Sequence, residues 1–321
     1  MKANTEALFM TLRGEQKLFK EAQKIAKQFI GSEGVTDIEF GLKHQEGKLT
    51  NKISLRFKVN EKKSEKKLKR SEILPKKVGI FITDVLSDKI VQHEPRIENS
   101  RNVVRPLLGG VQIQSGIRNS DDDWATMGFF YPIKNYVFGF TNYHVLYGGA
   151  SPDYVLKHYV GKLPVFQNLN RENNQIGISA NLFSFELDYA TFVLKAPIDQ
   201  VQSINALNGL LTSYAYPRVC GSVIKSGAST GVTFGIIDAR SCLNPSELSI
   251  HIDPQYPNHN NTVSDYGDSG SVWILNDDSN IPKPVALHYG GDETKQWAKA
   301  KTLTSIFASI RNKIQNQNSI I

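Results

Sequence analysis

The chain has 321 residues, of which 40% are hydrophobic and 21% are charged, with 24 glycines and 13 prolines. This composition is that of a folded globular protein, and it excludes collagen-like, coiled-coil and wholly disordered chains. The net charge of +7 is uneven: residues 1–105 hold 23 basic against 14 acidic side chains, or +9, and the rest hold 15 against 17, or −2. A basic segment attracts anionic partners, but this one has no aromatic-studded nucleic-acid motif. We therefore expect a solvated lysine-rich face and no nucleic-acid binding.

Membrane and export signals are not visible in the sequence. No stretch approaches the roughly 20 apolar residues of a membrane helix, and the N-terminal residues carry scattered charges in place of a signal peptide's apolar block. The two cysteines, Cys220 and Cys242, argue against a disulfide framework. They are equidistant from Gly231, an expected hairpin turn, so they could be neighbours, but reduced, buried thiols are the expected state. We expect no membrane span and a cytoplasmic protein.

The front of the chain combines a helix with strands. Apolar side chains recur at helical spacing over residues 5–30, and Gly31 ends that pattern, which predicts an amphipathic helix with its lysines in water. Alternation and charge then predict strands at 35–42, 49–59 and 78–86 and an exposed charged loop at 61–70. Residues 1–105 should therefore form a small, basic α+β domain.

After Arg105-Pro106 the pattern changes to short apolar stretches separated by Gly, Asn, Asp and Pro, which is typical of all-β structure. Strands are predicted at 125–131, 136–141, 176–185, 188–195, 219–225, 232–239 and 285–289. Residues 197–218 lack clear alternation and indicate a connection between two barrels. The expected division is a domain at 1–105 and a β domain at 106–321, with barrels at about 106–198 and about 199–302 and a closing helix at 303–315.

Three segments carry residues suited to nucleophilic catalysis. They are Phe140-Thr141-Asn142-Tyr143-His144-Val145, Leu187-Asp188-Tyr189-Ala190 and Asp265-Tyr266-Gly267-Asp268-Ser269-Gly270-Ser271. A serine hydroxyl is a poor nucleophile until an imidazole takes its proton, and a carboxylate must hold that imidazole in the right tautomer. His144 ends a predicted strand, Asp188 begins one and Ser269 lies in a glycine-flanked turn. The pattern predicts a catalytic triad of His144, Asp188 and Ser269.

The same turn predicts an oxyanion hole. A tetrahedral intermediate needs backbone N–H donors, and a tight Gly-Asp-Ser-Gly turn can point such donors inward. We assign the amides of Gly267 and Ser269 as these donors and Asp268 as the anchor of the turn. The sequence does not identify the residue that pairs with Asp268.

These motifs resemble those of the chymotrypsin-like, or trypsin-type, serine peptidases, in which a Thr-x-x-His box precedes a Gly-Asp-Ser-Gly box. The resemblance covers residues 106–321, and the segment Lys225-Ser226-Gly227-Ala228-Ser229-Thr230-Gly231-Val232-Thr233-Phe234-Gly235 is similar to a hairpin of the bacterial and plant branch. The front domain and the Arg105-Pro106-Leu107-Leu108-Gly109-Gly110-Val111 junction resemble bacterial proteases related to the narrow-leaf proteins of plants.

The resemblance implies two six-stranded β-barrels, with His144 and Asp188 on the first barrel and Ser269 on the second. It implies a serine endopeptidase that acts on protein or peptide substrates without a cofactor or metal. Val263, His288, Tyr289 and Gly290 would form the substrate pocket. A histidine at 288 is similar to that of glutamate-selective bacterial and glutamine-selective picornaviral members, so we expect a preference for Glu or Gln before the scissile bond.

The sequence also departs from the family pattern. Gly270-Ser271-Val272 stands in place of the usual Gly-Gly-Pro after the nucleophile, and its Ser271-Val272 part leaves the contacts with the substrate strand undefined. Leu107-Leu108-Gly109-Gly110 resembles the new N-terminus of activated trypsins, but Pro106 blocks tryptic cleavage after Arg105.

Other interpretations remain open. The order of the three residues and Ser271 exclude an α/β-hydrolase nucleophile elbow. His251, Asp253 and His259 match no strong metal-site spacing, so a solvated loop is expected there. The alternative function is a catalytically silent protease-fold module whose basic N-terminal domain recruits a partner. A homo-oligomer or a regulatory partner bound through that domain is left open.

Overall fold

The described part of the chain is built mainly from β-strands. The structure, a computed structural model, describes residues 11–32, 34–45, 48–63, 67–69, 73–88, 91–92, 103–118, 123–167, 172–195, 199–205, 207, 211–256, 258–277 and 281–316. The helices are α1 (Leu12–Ala26), α2 (Tyr143–Tyr147), α3 (Pro152–His158) and α4 (Leu303–Asn316). The strands of the N-terminal part are β1 (Val35–Gln45), β2 (Lys48–Val59), β3 (Lys77–Val78), β4 (Phe81–Ser87) and β5 (Val91–Gln92).

The strands that follow belong to two units, except for Leu107–Gly109 and Gln200–Ile204, which form a separate parallel pair. Those of the first half are β6 (Leu107–Gly109), β7 (Gln112–Ser115), β8 (Ala125–Thr126), β9 (Phe130–Ile133), β10 (Tyr136–Thr141), β11 (Pro164–Gln167), β12 (Gln175–Ser179), β13 (Ala190–Leu194) and β14 (Gln200–Ile204). Those of the second half are β15 (Ser222–Gly227), β16 (Gly231–Ser241), β17 (Glu247–Ile252), β18 (Val272–Leu275), β19 (Pro284–Gly291) and β20 (Trp297–Thr302).

The first unit is a seven-stranded antiparallel sheet in the order β8-β7-β11-β12-β13-β10-β9. Its apolar faces enclose a core that includes Ile113, Phe130, Val165 and Phe192, each 1% exposed or less. Burial of these side chains drives the curvature of the sheet around one core. The strand path of this unit stays open, where the resemblance implied a closed six-stranded barrel.

The second unit is a closed barrel. The strands run β15-β18-β19-β20-β17-β16, and an additional pairing of β15 with β16 completes the ring. Val223, Ile250, Trp273 and Ala300 are fully buried inside it. A further core lies where the two units meet, and α4 covers it with Leu303, Ile306 and Phe307. The mainly β, two-unit architecture predicted from the sequence is confirmed.

The N-terminal strands continue the sheet of the second unit. β1 pairs antiparallel with the end of β16, through Phe40 and Arg240, and the strand order continues as β1-β2-β4-β3. Helix α1 begins at Leu12 because the side-chain oxygen of Thr11 accepts a hydrogen bond from the amide of Gly14 at 3.0 Å. The apolar face of α1 packs on this extension. The boundary at residue 105 stays a prediction, although hydrogen bonds join the sheet across it.

Buried ion pairs lie at the junction of the N-terminal strands and the closed barrel. The guanidinium of Arg56 lies 2.9 Å from Glu39 and 3.0 Å from Asp238, and all three side chains are fully buried. The ammonium of Lys299, on β20, lies 2.8 Å from Glu39. The buried Lys299 has a raised pKa because Glu39 and Glu247 stabilise its charge more than burial opposes it. Charged side chains of β1, β2, β16 and β20 are thus paired with one another across the joined sheet.

Several local expectations differ from the structure. The strand expected at 125–131 is two strands with an irregular stretch between them, and the one expected at 176–185 ends at Ser179. Cys242 is a buried thiol as expected, whereas Cys220 is an exposed one. The hairpin register places Ser222 opposite Ile236, so the two cysteines are not aligned. Within the described ranges, no helix is long and apolar enough to cross a membrane.

Candidate active site

His144 and Asp188 form a bonded pair on the first unit. His144 lies in α2, directly after β10, and Asp188 lies just before β13, which pairs with β10. Nδ1 of His144 is 2.8 Å from Oδ2 of Asp188, and the backbone amide of His144 donates to Oδ1 at 3.0 Å. The carboxylate therefore holds both the ring and the main chain of the histidine. Such a contact selects the tautomer in which Nδ1 carries the proton and Nε2 is a base.

The backbone of Asp188 is held in an unusual conformation. Its φ of +44° lies in the left-handed region, which a non-glycine residue seldom adopts. The side-chain amide of Asn142 donates to the Asp188 carbonyl at 2.8 Å, and the Asp188 amide donates to Phe185 at 3.2 Å. These hydrogen bonds hold the turn in that strained conformation, which directs the carboxylate toward His144.

Ser269 lies in a turn that the second unit inserts against the first. Gly270 has a φ of +95°, and a Cβ there would lie 2.1 Å from the carbonyl oxygen of Thr126. Only glycine permits this close approach. The amide of Thr126 donates to the Ser269 carbonyl at 2.9 Å, and its hydroxyl donates to the Gly267 carbonyl at 2.7 Å. The nucleophile turn is therefore fastened to β8 of the first unit.

The structure identifies the partner of Asp268, which the sequence did not. The ammonium of Lys225, on β15, lies 2.7 Å from Oδ2 of Asp268, and both side chains are fully buried. Asp268 also accepts from the amides of Ser229, Thr230 and Asp265, each at 3.1 Å, and from the Thr230 hydroxyl at 2.7 Å. Burial lowers the pKa of Lys225, although Asp268 opposes this. The turn that carries Ser269 is thus anchored from inside the chain.

The three predicted catalytic residues line one cavity. It has a volume of about 520 Å³ and is lined by residues of both units, among them His144, Asp188, Ser269 and Tyr289. Nε2 of His144 is buried and has no hydrogen-bond partner among the described residues. The hydroxyl of Ser269 donates to the carbonyl of Tyr289 at 3.2 Å. The nucleophile and the base therefore share a site, with the hydroxyl turned toward β19.

The residues predicted to bind substrate lie on both sides of the serine turn. Tyr289 lines the cavity, whereas Val263, His288 and Gly290 are buried and are not among its lining residues. The amide of His288 donates to the Ser271 carbonyl at 2.8 Å, and the His288 carbonyl accepts from the amide of Gly270 at 3.0 Å. The ring of His288 lies edge-on to Trp273, with 6.1 Å between centroids. His288 therefore flanks the serine turn from within the closed barrel.

Sequence reasoning missed three residues of this site. Lys225 was noted only as part of a hairpin motif, and its spacing from Asp268 gives no signal that the two side chains meet. Asn142 follows β10 in the His144 segment, and its hydrogen bond with the Asp188 carbonyl, 46 residues along the chain, gives no local signal in the sequence. Arg118 lines the cavity and donates to the His144 carbonyl at 3.2 Å. No group of three or more metal-binding side chains is found within the described ranges.

Comparison with known proteins gives structural likenesses only. No protein-family model matches the sequence, and no curated protein sequence matches it. A glutamic-acid-specific serine protease, described as using a histidine triad in substrate binding, is 15% identical, with 63% of this chain and 97% of that chain covered and a TM-score of 0.43. Protease A of Thermobifida fusca is 14% identical, with 63% and 94% covered and a TM-score of 0.42. The chymotrypsin of Cellulomonas bogoriensis is 16% identical, with 63% and 94% covered and a TM-score of 0.41.

The chain's own topology identifies its architecture. Two antiparallel β units meet at a cavity, the first contributing the His144–Asp188 pair and the second a glycine-flanked turn with Ser269. The N-terminal helix and strands are added to the second unit. This chain therefore has the chymotrypsin-like fold, extended at its N-terminus by a small α+β segment.

Proposed function

We propose that the protein is a serine endopeptidase. Ser269 is the nucleophile, His144 the general base and then the general acid, and Asp188 the group that orients the imidazole. The amides of Gly267 and Ser269 hold the oxyanion, and neither a metal nor a cofactor takes part. The observation that carries the proposal is the 2.8 Å contact between His144 and Asp188 in a cavity that Ser269 also lines.

The chemistry follows from these positions. The Ser269 hydroxyl turns from the Tyr289 carbonyl to His144 and gives its proton to Nε2 as Oγ attacks the substrate carbonyl carbon. The tetrahedral intermediate then expels the amine, which takes the proton from Nε2, and an acyl-enzyme remains. Water, deprotonated by the same nitrogen, attacks the ester and releases the acid with Ser269 restored. Apo enzymes often lack the serine–histidine hydrogen bond, and substrate binding is expected to form it.

A labelling experiment tests the nucleophile. Ser269→Ala should abolish reaction with a fluorophosphonate probe and stop peptide hydrolysis. The matched control is Ser271→Ala, because Ser271 is buried two residues away and its hydroxyl has no hydrogen-bond partner among the described residues. That control should be labelled as fast as the wild type. Equal labelling of the Ser269 variant would refute the assignment.

We further propose a preference for Glu or Gln before the scissile bond, with Val263, His288, Tyr289 and Gly290 around that side chain. The support is that His288 is bonded through its main chain to the serine turn and precedes Tyr289, which lines the cavity, while its own ring is buried against Trp273. An imidazole can donate a hydrogen bond to a carboxylate or an amide oxygen. Digestion of a peptide library should enrich cleavage after Glu or Gln. Cleavage only after Lys, Arg or aromatic residues would remove this part of the proposal.

We place this activity in the cytoplasm, with proteins or peptides as substrates and the N-terminal segment as a regulatory element. The two unpaired thiols, Cys220 and Cys242, are consistent with a reducing compartment. Fractionation of cells followed by probe labelling would test the location. Recovery of the labelled chain only outside the cytoplasm would contradict it.

A silent binding module is the second candidate. The observation that favours it is that Nε2 of His144 has no hydrogen-bond partner among the described residues, while Ser269 donates to Tyr289. Such a protein would bind peptides without cleaving them, and its basic N-terminal part would recruit the partner. Absence of probe labelling in a folded wild-type chain would favour this candidate over the enzyme.

A further inference from the structure

One edge of β19 next to the serine turn is left open by the strands of the closed barrel. On one side β19 pairs with β20 as far as Gly291, through Gly290 with Lys299 and Gly291 with Ala298. On the other side its pairing with β18 ends at Leu287. The main-chain groups of Gly290 and Gly291 on that second side can therefore accept another strand.

The chain fills this edge with its own residues. β5 pairs antiparallel with β19, with Gln92 opposite Gly290 and Val91 opposite Gly291. This strand follows β4 of the N-terminal segment and is joined to the barrel at its edge, outside the ring of six strands. The N-terminal segment thus reaches the barrel at two places, through β1 on β16 and through β5 on β19.

The filled edge adjoins the nucleophile. The carbonyl of Tyr289, the residue before Gly290, accepts a hydrogen bond from the Ser269 hydroxyl. The carbonyl of His288 accepts a hydrogen bond from the amide of Gly270. Because the pairing is antiparallel, β5 runs from Gly291 toward Gly290, and so toward Ser269. An extended peptide that presents its scissile bond to Ser269 would most simply bind as an added strand on the same edge. Two glycines there leave room for a second backbone to approach closely.

We propose that Val91–Gln92 is an intramolecular occupant of the substrate edge, which an extended peptide must displace before it can be cleaved. This inference rests on the proposed endopeptidase function and names a regulatory contact for that site. Only the fraction of molecules with β5 released binds an extended substrate, so the apparent affinity is reduced by that fraction. Small reagents that need only the Ser269 hydroxyl would be unaffected.

The test compares two probes on one variant. Val91→Pro/Gln92→Pro removes both N–H groups of β5. Because adjacent residues of a strand face opposite sides, only one of these groups faces β19, and loss of its hydrogen bond shifts the equilibrium by roughly a factor of 2 to 10. We expect KM for an extended peptide to fall about 2- to 10-fold, with kcat and the fluorophosphonate labelling rate unchanged. Val103→Pro is the matched control, because Val103 is exposed and lies outside any strand. It should leave KM unchanged.

Hydrogen exchange separates this inference from the proposed function. In a Ser269→Ala background, which cannot turn over, the amide of the one glycine, Gly290 or Gly291, whose N–H faces β5 should exchange faster when the two prolines are present. The amide of the other glycine, which faces β20, and the amides of β13 should not change. Unchanged exchange at the glycines would overturn the proposal whatever the kinetics. Faster exchange with an unchanged KM would also overturn it, since the strand would then not compete with substrate. If exchange became faster but the wild-type chain neither hydrolysed peptides nor reacted with the fluorophosphonate probe, the proposed function would be refuted. β5 would then only cover a sheet edge, and its regulatory role would be overturned as well.

Discussion

The buried pair of Lys225 and Asp268 allows a sharp prediction about the nucleophile turn. Lys225→Met keeps an unbranched side chain of similar length and removes the charge, which leaves the Asp268 carboxylate buried without its cation. Breaking a buried ion pair by removal of one partner costs about 3–5 kcal/mol. Asp268 keeps four hydrogen bonds, from Ser229, Thr230 and Asp265, so we expect the lower end, about 3 kcal/mol.

The expected shift in melting temperature follows from the size of the chain. An unfolding entropy of roughly 2.1 cal/mol/K per residue gives about 0.7 kcal/mol/K for 321 residues, so a loss of about 3 kcal/mol lowers Tm by about 4 °C. Turnover should also fall, by about 10- to 100-fold, because Asp268 positions the amide of Ser269. This is less than the roughly 10²–10³-fold loss caused by removing an oxyanion donor outright.

Denaturant unfolding and peptide hydrolysis measure the two effects. Lys283→Met is the control, because its pair with Asp277 is exposed by 38% and 39% and should contribute well under about 1 kcal/mol. Lys225→Met/Asp268→Asn should recover part of the lost stability, since no unpaired charge remains. If Lys225→Met were no more destabilising than the Lys283 control, the internal anchor would not hold the turn and the reasoning would be wrong.

Three further results are expected. Asp188→Asn should lower kcat by about 10⁴-fold, because an amide favours the wrong imidazole tautomer, as steady-state kinetics would show. Gly270→Ala should cost at least about 3 kcal/mol in denaturant unfolding and abolish labelling, because its Cβ would lie 2.1 Å from the Thr126 carbonyl oxygen. Burial raises the pKa of Asp37 from 3.8 to about 6, which means that the folded state favours the protonated carboxyl. The contribution of Asp37 to the free energy of unfolding is therefore complete below about pH 4 and is lost as the pH rises through about 6. That difference corresponds to at most about 3 kcal/mol, and since Asp37 is partly exposed, Asp37→Asn should stabilise by about 1–2 kcal/mol at pH 7 and by nothing at pH 4.

Each of these has an outcome that contradicts it. An Asp188→Asn enzyme within about tenfold of the wild type would mean that the carboxylate does not set the tautomer. Gly149→Ala, where a Cβ meets nothing within 4 Å, is the control for Gly270→Ala, and equal effects would remove the steric explanation. A stability gain for Asp37→Asn that is the same at pH 4 and pH 7 would show that titration of that carboxyl is not its cause.

The sequence predicts most clearly what local pattern determines. The alternating stretch at 136–141 is the strand β10, and the apolar stripe at 303–314 falls within α4. The three motifs also identified His144, Asp188 and Ser269, which the structure brings to one cavity. Each of these residues lies at a turn or strand end that its own motif predicts. Their catalytic roles stay predictions.

Contacts between distant segments could not be predicted in this way. The pairings of β1 with β16 and of β5 with β19 depend on which edges remain open in the folded sheet, and alternation is the same for every partner. The pairing of Lys225 with Asp268 could not be predicted for a related reason. A lysine in a strand is expected to be exposed to solvent unless the fold places a buried anion beside it. Two-residue strands such as β8 are too short for an alternating pattern to be detected in the sequence.

The charges buried between the N-terminal hairpin and the closed barrel have a practical consequence for anyone shortening this protein. A fragment starting at residue 106 would keep Asp238 and lose Arg56, and it would keep Lys299 with Glu247 as its remaining partner after the loss of Glu39. Removal of β1 would also leave the end of β16 as an open sheet edge, and an unpaired edge is a template for pairing between chains. The front segment in this respect protects an edge of the barrel from other chains, and expression of the trimmed fragment should yield aggregates.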